Sequence, residues 1–317
     1  MSAPIIRVSN LAVDFASKGI VVNTPLRGVS FEVESGKTLG IVGETGCGKT
    51  LTGLSILNLL PPNAIRRGEI WLDGHGELNS QNMADVRGVQ ISFIFQNPHS
   101  AFNPVFTIEK QLKIVAHRQG LDHHQGERII RDRLKEVGLD DIDRVLTSFP
   151  HQLSGGMLQR CMIAMALLGT PKLLIADEPT TALDSTIARQ ILTLIYNLQK
   201  QYGFALILIS HDVGLVSDIA DNIAVLYAGR VVETGTTNLV LSDPKHPYTK
   251  GLLQAIPSAS VVRGGLTAIP GQVPANTLTI VGCSFASRCS QVQASCANDP
   301  ALKEIAGRNV ACGVVTR

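Results

Sequence analysis

The chain has 317 residues, 44% hydrophobic and 17% charged, with 28 Lys and Arg against 26 Asp and Glu for a net charge of +2. That length holds one large or two modest domains with a sizeable core, and the composition excludes collagen-like, disordered and miniature disulfide-held classes. A near-neutral balance without a long basic cluster also argues against nucleic acid as a partner.

Met1–Leu11 contains Arg7 but no uninterrupted apolar run or small-residue cleavage site, so a secretory leader is not expected and a cytosol with reduced thiols is. Residues 264–287 carry no charge, yet Pro270, Gly271, Gln272, Pro274 and Asn276 break the stretch. It cannot supply the roughly 20 apolar helical residues that a bilayer span requires.

Leu39–Val42 reads as a buried strand, and the glycine-rich octet Gly43-Glu44-Thr45-Gly46-Cys47-Gly48-Lys49-Thr50 follows it. Leu51–Leu60 then has helical spacing and stops at Pro61-Pro62. From about Asn97 to Thr170 the pattern turns helical, with segments at Ile108–Arg118, Gly126–Gly138 and Gly155–Leu168. Two further apolar strands follow, Lys172–Ala176 running into Asp177-Glu178-Pro179 and Ala205–Ser210 running into His211-Asp212. Strands alternating with helices predict a parallel, doubly wound α/β sheet with ligands at the carboxyl ends of its strands. Beyond Leu253, Pro257, Gly264, Gly265, Pro270, Gly271 and Pro274 suggest a loop-rich appendage rather than another sheet layer. No internal repeat or low-complexity tract is visible.

The octet fits G-x-x-x-x-G-K-[ST], in which glycines let successive N–H groups turn inward on phosphates and the following helix adds its positive dipole end. Lys49 would reach the β- and γ-phosphates and the Thr50 hydroxyl would ligate Mg²⁺, with Thr52 counted among the nucleotide-binding candidates. Cys47 reads as a small filler, since no histidine adjoins it to activate a thiolate. Asp177 closes an apolar strand, where a carboxylate is costly unless engaged, and is assigned to the same metal. Glu178 can polarise an attacking water, and His211 can contact the γ-phosphate or orient that base. Singly, these residues also fit a helix N-cap, a solvated carboxylate and a hydrogen-bonded core histidine; behind a phosphate loop the catalytic reading prevails.

Leu153-Ser154-Gly155-Gly156-Met157-Leu158-Gln159-Arg160 resembles the signature sequence of the ATP-binding-cassette (ABC) ATPases. Gln96 in Ile94-Phe95-Gln96-Asn97-Pro98 resembles their glutamine loop and Thr181-Ala182-Leu183-Asp184 their D-loop. The resemblance spans about residues 39–212. It implies a P-loop NTPase core with a helical subdomain at about 97–170, and two ATPase units packed head to tail. Ser154, Gly155 and Gly156 of one unit would complete the other's site; their N–H groups open a helix and so favour an anion. Gln96 would serve as a metal and γ-phosphate sensor and Phe15 as the adenine-stacking aromatic. Met157 and Leu158 depart from the common signature residues, and Ser210 stands where threonine is frequent.

Pro150-His151-Gln152, Tyr227-Ala228-Gly229-Arg230 and His246-Pro247-Tyr248-Thr249-Lys250-Gly251-Leu252-Leu253 are similar to the oligopeptide and dipeptide importer branch, with nickel and glutathione importers close by. The resemblance implies an ATPase subunit at the cytoplasmic face of the membrane. Its partners would be a second ATPase, two permease subunits and an extracytoplasmic substrate-binding protein. A non-transport cassette ATPase of the DNA-repair or ribosome type is the competing reading, but no long insertion, second cassette or basic surface supports it. The expected division is an ATPase domain over 1–255 and a cysteine-containing tail over 256–317.

Four of the six cysteines, Cys283, Cys289, Cys296 and Cys312, fall in the tail with five, six and fifteen residues between them. Their spacing lacks the tight C-x2-C knuckle of zinc ribbons and leaves zinc, an iron–sulfur centre or unligated thiols open. Gly282-Cys283-Ser284-Phe285-Ala286-Ser287-Arg288-Cys289 resembles the tail of peptide-importer ATPases that carry a [4Fe-4S] cluster, which makes the cluster the favoured expectation. Cys161 falls at an apolar helical position and reads as core packing.

Overall fold

The computed structural model describes residues 3–181, 183–255 and 269–315. Ala182 of the D-loop segment and the tail residues Pro257, Gly264 and Gly265 lie outside the described residues. The chain divides into two compact units, and strand Ala205–Ser210 passes from the first into the second.

The first unit takes its described residues from 1–5, 34–36 and 79–207. Its strands Ile91–Ile94 and Leu173–Asp177 pair in parallel, in register from Ile91 opposite Leu173 to Ile94 opposite Ala176. Every residue of Leu173–Asp177 is buried, as expected for a continuous apolar run in a parallel sheet covered on both faces. Helices occupy Pro98–Ala101, Ile108–Arg118, His123–Glu136, Ile142–Thr147 and Gly155–Ala166, filling the stretch whose sequence pattern is helical.

Each helix begins where local chemistry places a cap. Thr107, Asp122 and Asp141 accept hydrogen bonds from first-turn N–H groups, and Asp122 with Gln125 forms a reciprocal capping box. The long Ser185–Tyr202 helix shows the amphipathic logic most plainly. Asp184 accepts from the Thr186 and Ile187 N–H groups, Ala188, Ile191, Leu192, Ile195 and Leu198 turn inward, and Gly203 ends it in the left-handed conformation. Each fully buried Leu or Ile of that stripe contributes about 1.5–3 kcal/mol relative to exposure.

The second unit comprises 6–33, 37–78 and the described residues from 208 onward. One sheet orders its strands Ile20–Glu34, Pro4–Ser17, Ala64–Leu72 and Gly76–Glu77. In the other, Thr38–Val42 pairs in parallel with Asn222–Tyr227, which pairs antiparallel with Arg230–Thr236. The Lys49–Ile56 helix follows the glycine-rich octet. It stops before the apolar spacing suggests, because Asn58 adopts a left-handed φ of 51° and takes Leu59 and Leu60 out of the helical path.

The tail is more regular than its prolines and glycines imply. Lys303–Ile305 and Arg308–Val310 form an antiparallel hairpin turned by Ala306-Gly307, and its second strand extends the sheet at Arg230–Thr236. Three-residue strands are too short to announce themselves by alternation, so the sequence reads as loop. Buried Arg308 fastens this edge by donating to the Leu239 and Asp243 carbonyls and facing Glu233. The Thr277 hydroxyl donates to the Thr24 carbonyl at 2.7 Å, stitching the near end of the tail to the strand at Ile20–Glu34.

Candidate functional site

Two constellations hold the residues singled out by the sequence, one in each unit. In the second unit, strand Thr38–Val42 delivers Gly43–Thr50 to the N-terminus of helix Lys49–Ile56. The loop can take this path only with glycine at its hinges. A Cβ on Gly43 would stand 2.3 Å from the Leu226 carbonyl oxygen and 2.8 Å from Cys47 Sγ; one on Gly48, at φ +107°, would stand 2.7 Å from Leu26.

Lys49 is buried, and its ammonium donates to the Gly43 and Glu44 carbonyls at 2.8 and 3.0 Å, curling back over the loop. A cation held on neutral carbonyls is ready to exchange them for phosphate oxygens. Thr50 lies exposed on the first helical turn, as do Thr45 and Gly46 on the loop. Thr52 is fully buried and donates its hydroxyl to the Gly48 carbonyl at 3.0 Å, so it braces the helix start rather than facing outward. Cys47 is fully buried and its thiol is pushed up to about 11, burial outweighing the attraction of Lys49; it is filler, as the sequence implies.

The loop is also gripped from far along the chain. The Glu44 N–H donates to the Tyr248 hydroxyl at 2.8 Å, and Arg288 makes a two-pronged ion pair with the Glu44 carboxylate at 2.6 and 2.9 Å. Neither partner role is visible in the sequence. Tyr248 belongs to the importer-like segment and Arg288 stands between two tail cysteines, but no local signal connects either to Glu44.

The first unit carries the carboxylate corner. Asp177 ends its strand almost fully buried, and Glu178 turns sharply at φ +45°, a conformation that costs a non-glycine residue energy and is retained where geometry demands it. Gln96 Nε2 donates to Glu178 Oε2 at 3.0 Å, and the Thr181 hydroxyl donates to the same oxygen at 2.8 Å. Gln96 and Glu178 are thus in direct contact, while Thr181, read only as D-loop, proves to hold the carboxylate as well.

Ser154 caps the Gly155–Ala166 helix, accepting from the Met157 N–H, and the Gly155 and Gly156 amides lie in that helix's first turn. Cys161 on the same helix is fully buried with its thiol pushed up to about 12, in keeping with core packing. In the second unit His211 is exposed just past buried Ser210, next to Asp212, which caps the Val213–Ser217 helix. Phe15 sits part-buried on strand Pro4–Ser17, opposite Ala64.

The tail cysteines are free thiols, Cys296 buried and the other three half-buried. Burial raises the Cys283 thiol, and Cys296, Cys312 and Cys289 raise it further, so the four lie within electrostatic reach of one another. The expected cluster geometry is nevertheless not met: among the described residues no group of three or more His, Cys, Asp or Glu is arranged to hold a metal ion. Cys283 and Cys296 are joined through a backbone hydrogen bond of 2.8 Å, the Cys283 N–H donating to the Cys296 carbonyl. Among the described residues no helix is long and apolar enough to cross a membrane.

Residues 26–181 match the family description "ABC transporter", and residues 232–296 match "Oligopeptide/dipeptide transporter, C-terminal region". The oligopeptide transport ATP-binding protein OppD of Bacillus subtilis is 43% identical over 292 residues, covering 90% of this chain and 81% of its own. The dipeptide transport ATP-binding protein DppD of the same organism is 42% identical over 298 residues, covering 92% and 88%. A solved dimeric structure of the ATP-binding cassette MJ0796, in a post-hydrolysis state bound to ADP and Pi, superposes with a TM-score of 0.63 at 25% identity. It covers 73% of this chain and 98% of that one. The chain therefore belongs to the ABC transporter family, as an ATP-hydrolysing subunit with the P-loop NTPase fold and the C-terminal region of the oligopeptide/dipeptide transporters.

Proposed function

We propose that the protein is the ATPase of an importer for di- or oligopeptides, converting MgATP binding and hydrolysis at a two-ATPase interface into substrate uptake. The observation that carries the catalytic part is the hold of Gln96 and Thr181 on Glu178. Two neutral donors on one oxygen fix the direction of a carboxylate, the kind of group that accepts a proton from water. The substrate class rests on the match of the tail to the oligopeptide/dipeptide transporter region and on the likeness to OppD and DppD.

In this reading the N–H groups of Gly43–Thr50 and the Lys49 ammonium bind the phosphates, and Glu178 takes the proton of the attacking water. His211 and Gln96 contact the γ-phosphate region, and Phe15 stacks on adenine. Mg²⁺ would neutralise phosphate charge; the Thr50 hydroxyl, Asp177 carboxylate and Gln96 amide oxygen are hard donors suited to it. Ser154, Gly155 and Gly156 serve the site of a second ATPase, as dimerisation of the MJ0796 cassette suggests. Two permease subunits, a substrate-binding protein and a position at the cytoplasmic membrane face complete the assembly. The division into an ATPase domain over 1–255 and a tail over 256–317 belongs to the same proposal. A [4Fe-4S] centre on Cys283, Cys289, Cys296 and Cys312 rests on the sequence resemblance alone, and no step above depends on it.

Reconstitution with the cognate permeases and second ATPase tests the proposal. ATP-dependent uptake of a labelled oligopeptide, lost when Lys49 is replaced by Ala, is the expected result. ATP-dependent uptake of nickel or glutathione with none of peptides would overturn the substrate class.

A further inference from the structure

The phosphate loop contains a carboxylate in the place least favourable for one. Glu44 stands between Gly43 and Thr45, within the backbone turn that is read above as the polyphosphate cradle. An unneutralised anion there opposes a triphosphate by direct Coulomb repulsion. The structure supplies the counter-charge from the tail. Arg288, its side chain only 4% exposed, donates from both terminal nitrogens to the Glu44 carboxylate. The guanidinium is itself fixed, donating from Nε to the Pro270 carbonyl at 2.7 Å and reaching the Tyr227 hydroxyl at 3.4 Å. Bidentate pairing of this kind is both stronger and more directional than a single charged contact.

A second tether acts on the same residue. The Tyr248 hydroxyl accepts the Glu44 N–H, and the Tyr248 ring is locked among Tyr227 and Phe285 with centroids 4.7 and 5.4 Å away. Phe285 and Arg288 both lie in the turn between Cys283 and Cys289. Arg288 of the tail thus touches the loop through a charged contact, and Tyr248, ahead of the tail, through a neutral one, across 244 and 204 residues of sequence.

We propose that Arg288 and Tyr248 are positioning residues for nucleotide binding: Arg288 cancels the Glu44 charge and, with Tyr248, holds the first turn of the loop in its phosphate-receiving shape. The C-terminal tail is thereby a working part of the ATP site. This rests on the reading of Gly43–Thr50 as the nucleotide site.

The test measures MgATP affinity of the full chain, with folding followed by circular dichroism. Arg288→Met removes the charge and keeps the apolar stem; the expected Kd rises about tenfold, the size of one partly screened like-charge contact. Glu44→Gln removes the need for a counter-charge, and its Kd is the reference for the double substitution. The decisive variant combines them: if Arg288 acts through the Glu44 charge, the double substitution regains the affinity of Glu44→Gln alone. Arg288→Lys, which keeps the charge and loses the fork, falls between wild type and Arg288→Met. Tyr248→Phe keeps the ring packing and weakens binding about threefold through loss of one neutral hydrogen bond.

A double variant no better than Arg288→Met overturns the charge-cancelling role, as does an unchanged Kd in a folded Arg288→Met. If Arg288→Met does not fold, Tyr248→Phe together with Arg288→Lys decides, and unchanged affinity in both overturns the proposal. Lys49→Ala separates the two levels. Loss of binding there with unchanged affinity in the Arg288 and Tyr248 variants sinks only their positioning role; retained binding in Lys49→Ala sinks the nucleotide-site reading and the proposal with it.

Discussion

The phosphate loop and the carboxylate corner solve opposite problems. The loop is flexible by composition, with glycines at 43, 46 and 48, and its shape is imposed from outside by Leu226, Tyr248 and Arg288. Glu178 is instead strained by its own backbone and held by two side-chain donors, one of them three residues away. A binding surface can be assembled from many replaceable N–H groups, whereas a proton acceptor must have one oxygen at one place. Binding should therefore be sensitive to distant packing, and turnover to a few atoms near Glu178.

The largest effect expected on affinity from packing alone breaks the loop side. Gly43→Val forces a side chain against the Leu226 carbonyl and Cys47, and overpacking of 1–3 kcal/mol directed at the loop should weaken MgATP binding by up to about a hundredfold. Isothermal titration would show it; near-normal affinity would mean the loop does not need its present path. Thr181→Val sharpens the carboxylate side by removing one hydroxyl at constant shape. Turnover should fall about tenfold at saturating ATP with Kd unchanged, as loss of one hydrogen bond to a charged group predicts.

A third effect concerns pH and global stability. His246 is buried, accepts the Tyr248 N–H on Nδ1 and hydrogen-bonds the Ala311 backbone, while the neighbouring Glu233 carboxylate takes the His246 backbone N–H. Burial lowers its pKa from 6.5 to about 4, so between those values the unfolded chain binds the proton and the folded chain does not. The contribution is complete above about pH 6.5 and is lost as pH falls toward 4, amounting to about 2 kcal/mol between pH 7 and 5. Denaturant titrations at the two pH values should show that loss in wild type and a smaller one in His246→Asn.

The sequence makes legible what is local. Strand Ala205–Ser210 and helix Ile108–Arg118 fall where spacing puts them, because burial on both faces or on one stripe writes itself into the order of residues. The phosphate loop is legible because its glycines answer a backbone requirement. The bond from Thr181 to Glu178 and the grip of Arg288 on Glu44 are not, since nothing in a residue's neighbours announces a partner brought by the fold. The tail hairpin is missed for a third reason: three residues per strand are too few for a period. The metal expectation for the cysteines rests on sequence resemblance, and among the described residues no group of three or more His, Cys, Asp or Glu is arranged to hold a metal ion.

The central claim is that Glu178 serves catalysis and not binding. Glu178→Gln keeps the size of the side chain and removes its ability to take a proton, and its MgATP Kd and single-turnover hydrolysis rate can be measured on one preparation of the assembled ATPase pair. Unchanged affinity with a rate lower by about a thousandfold is predicted, within the range for loss of a general base. Hydrolysis at the wild-type rate, or loss of ATP binding in parallel with loss of rate, would contradict it.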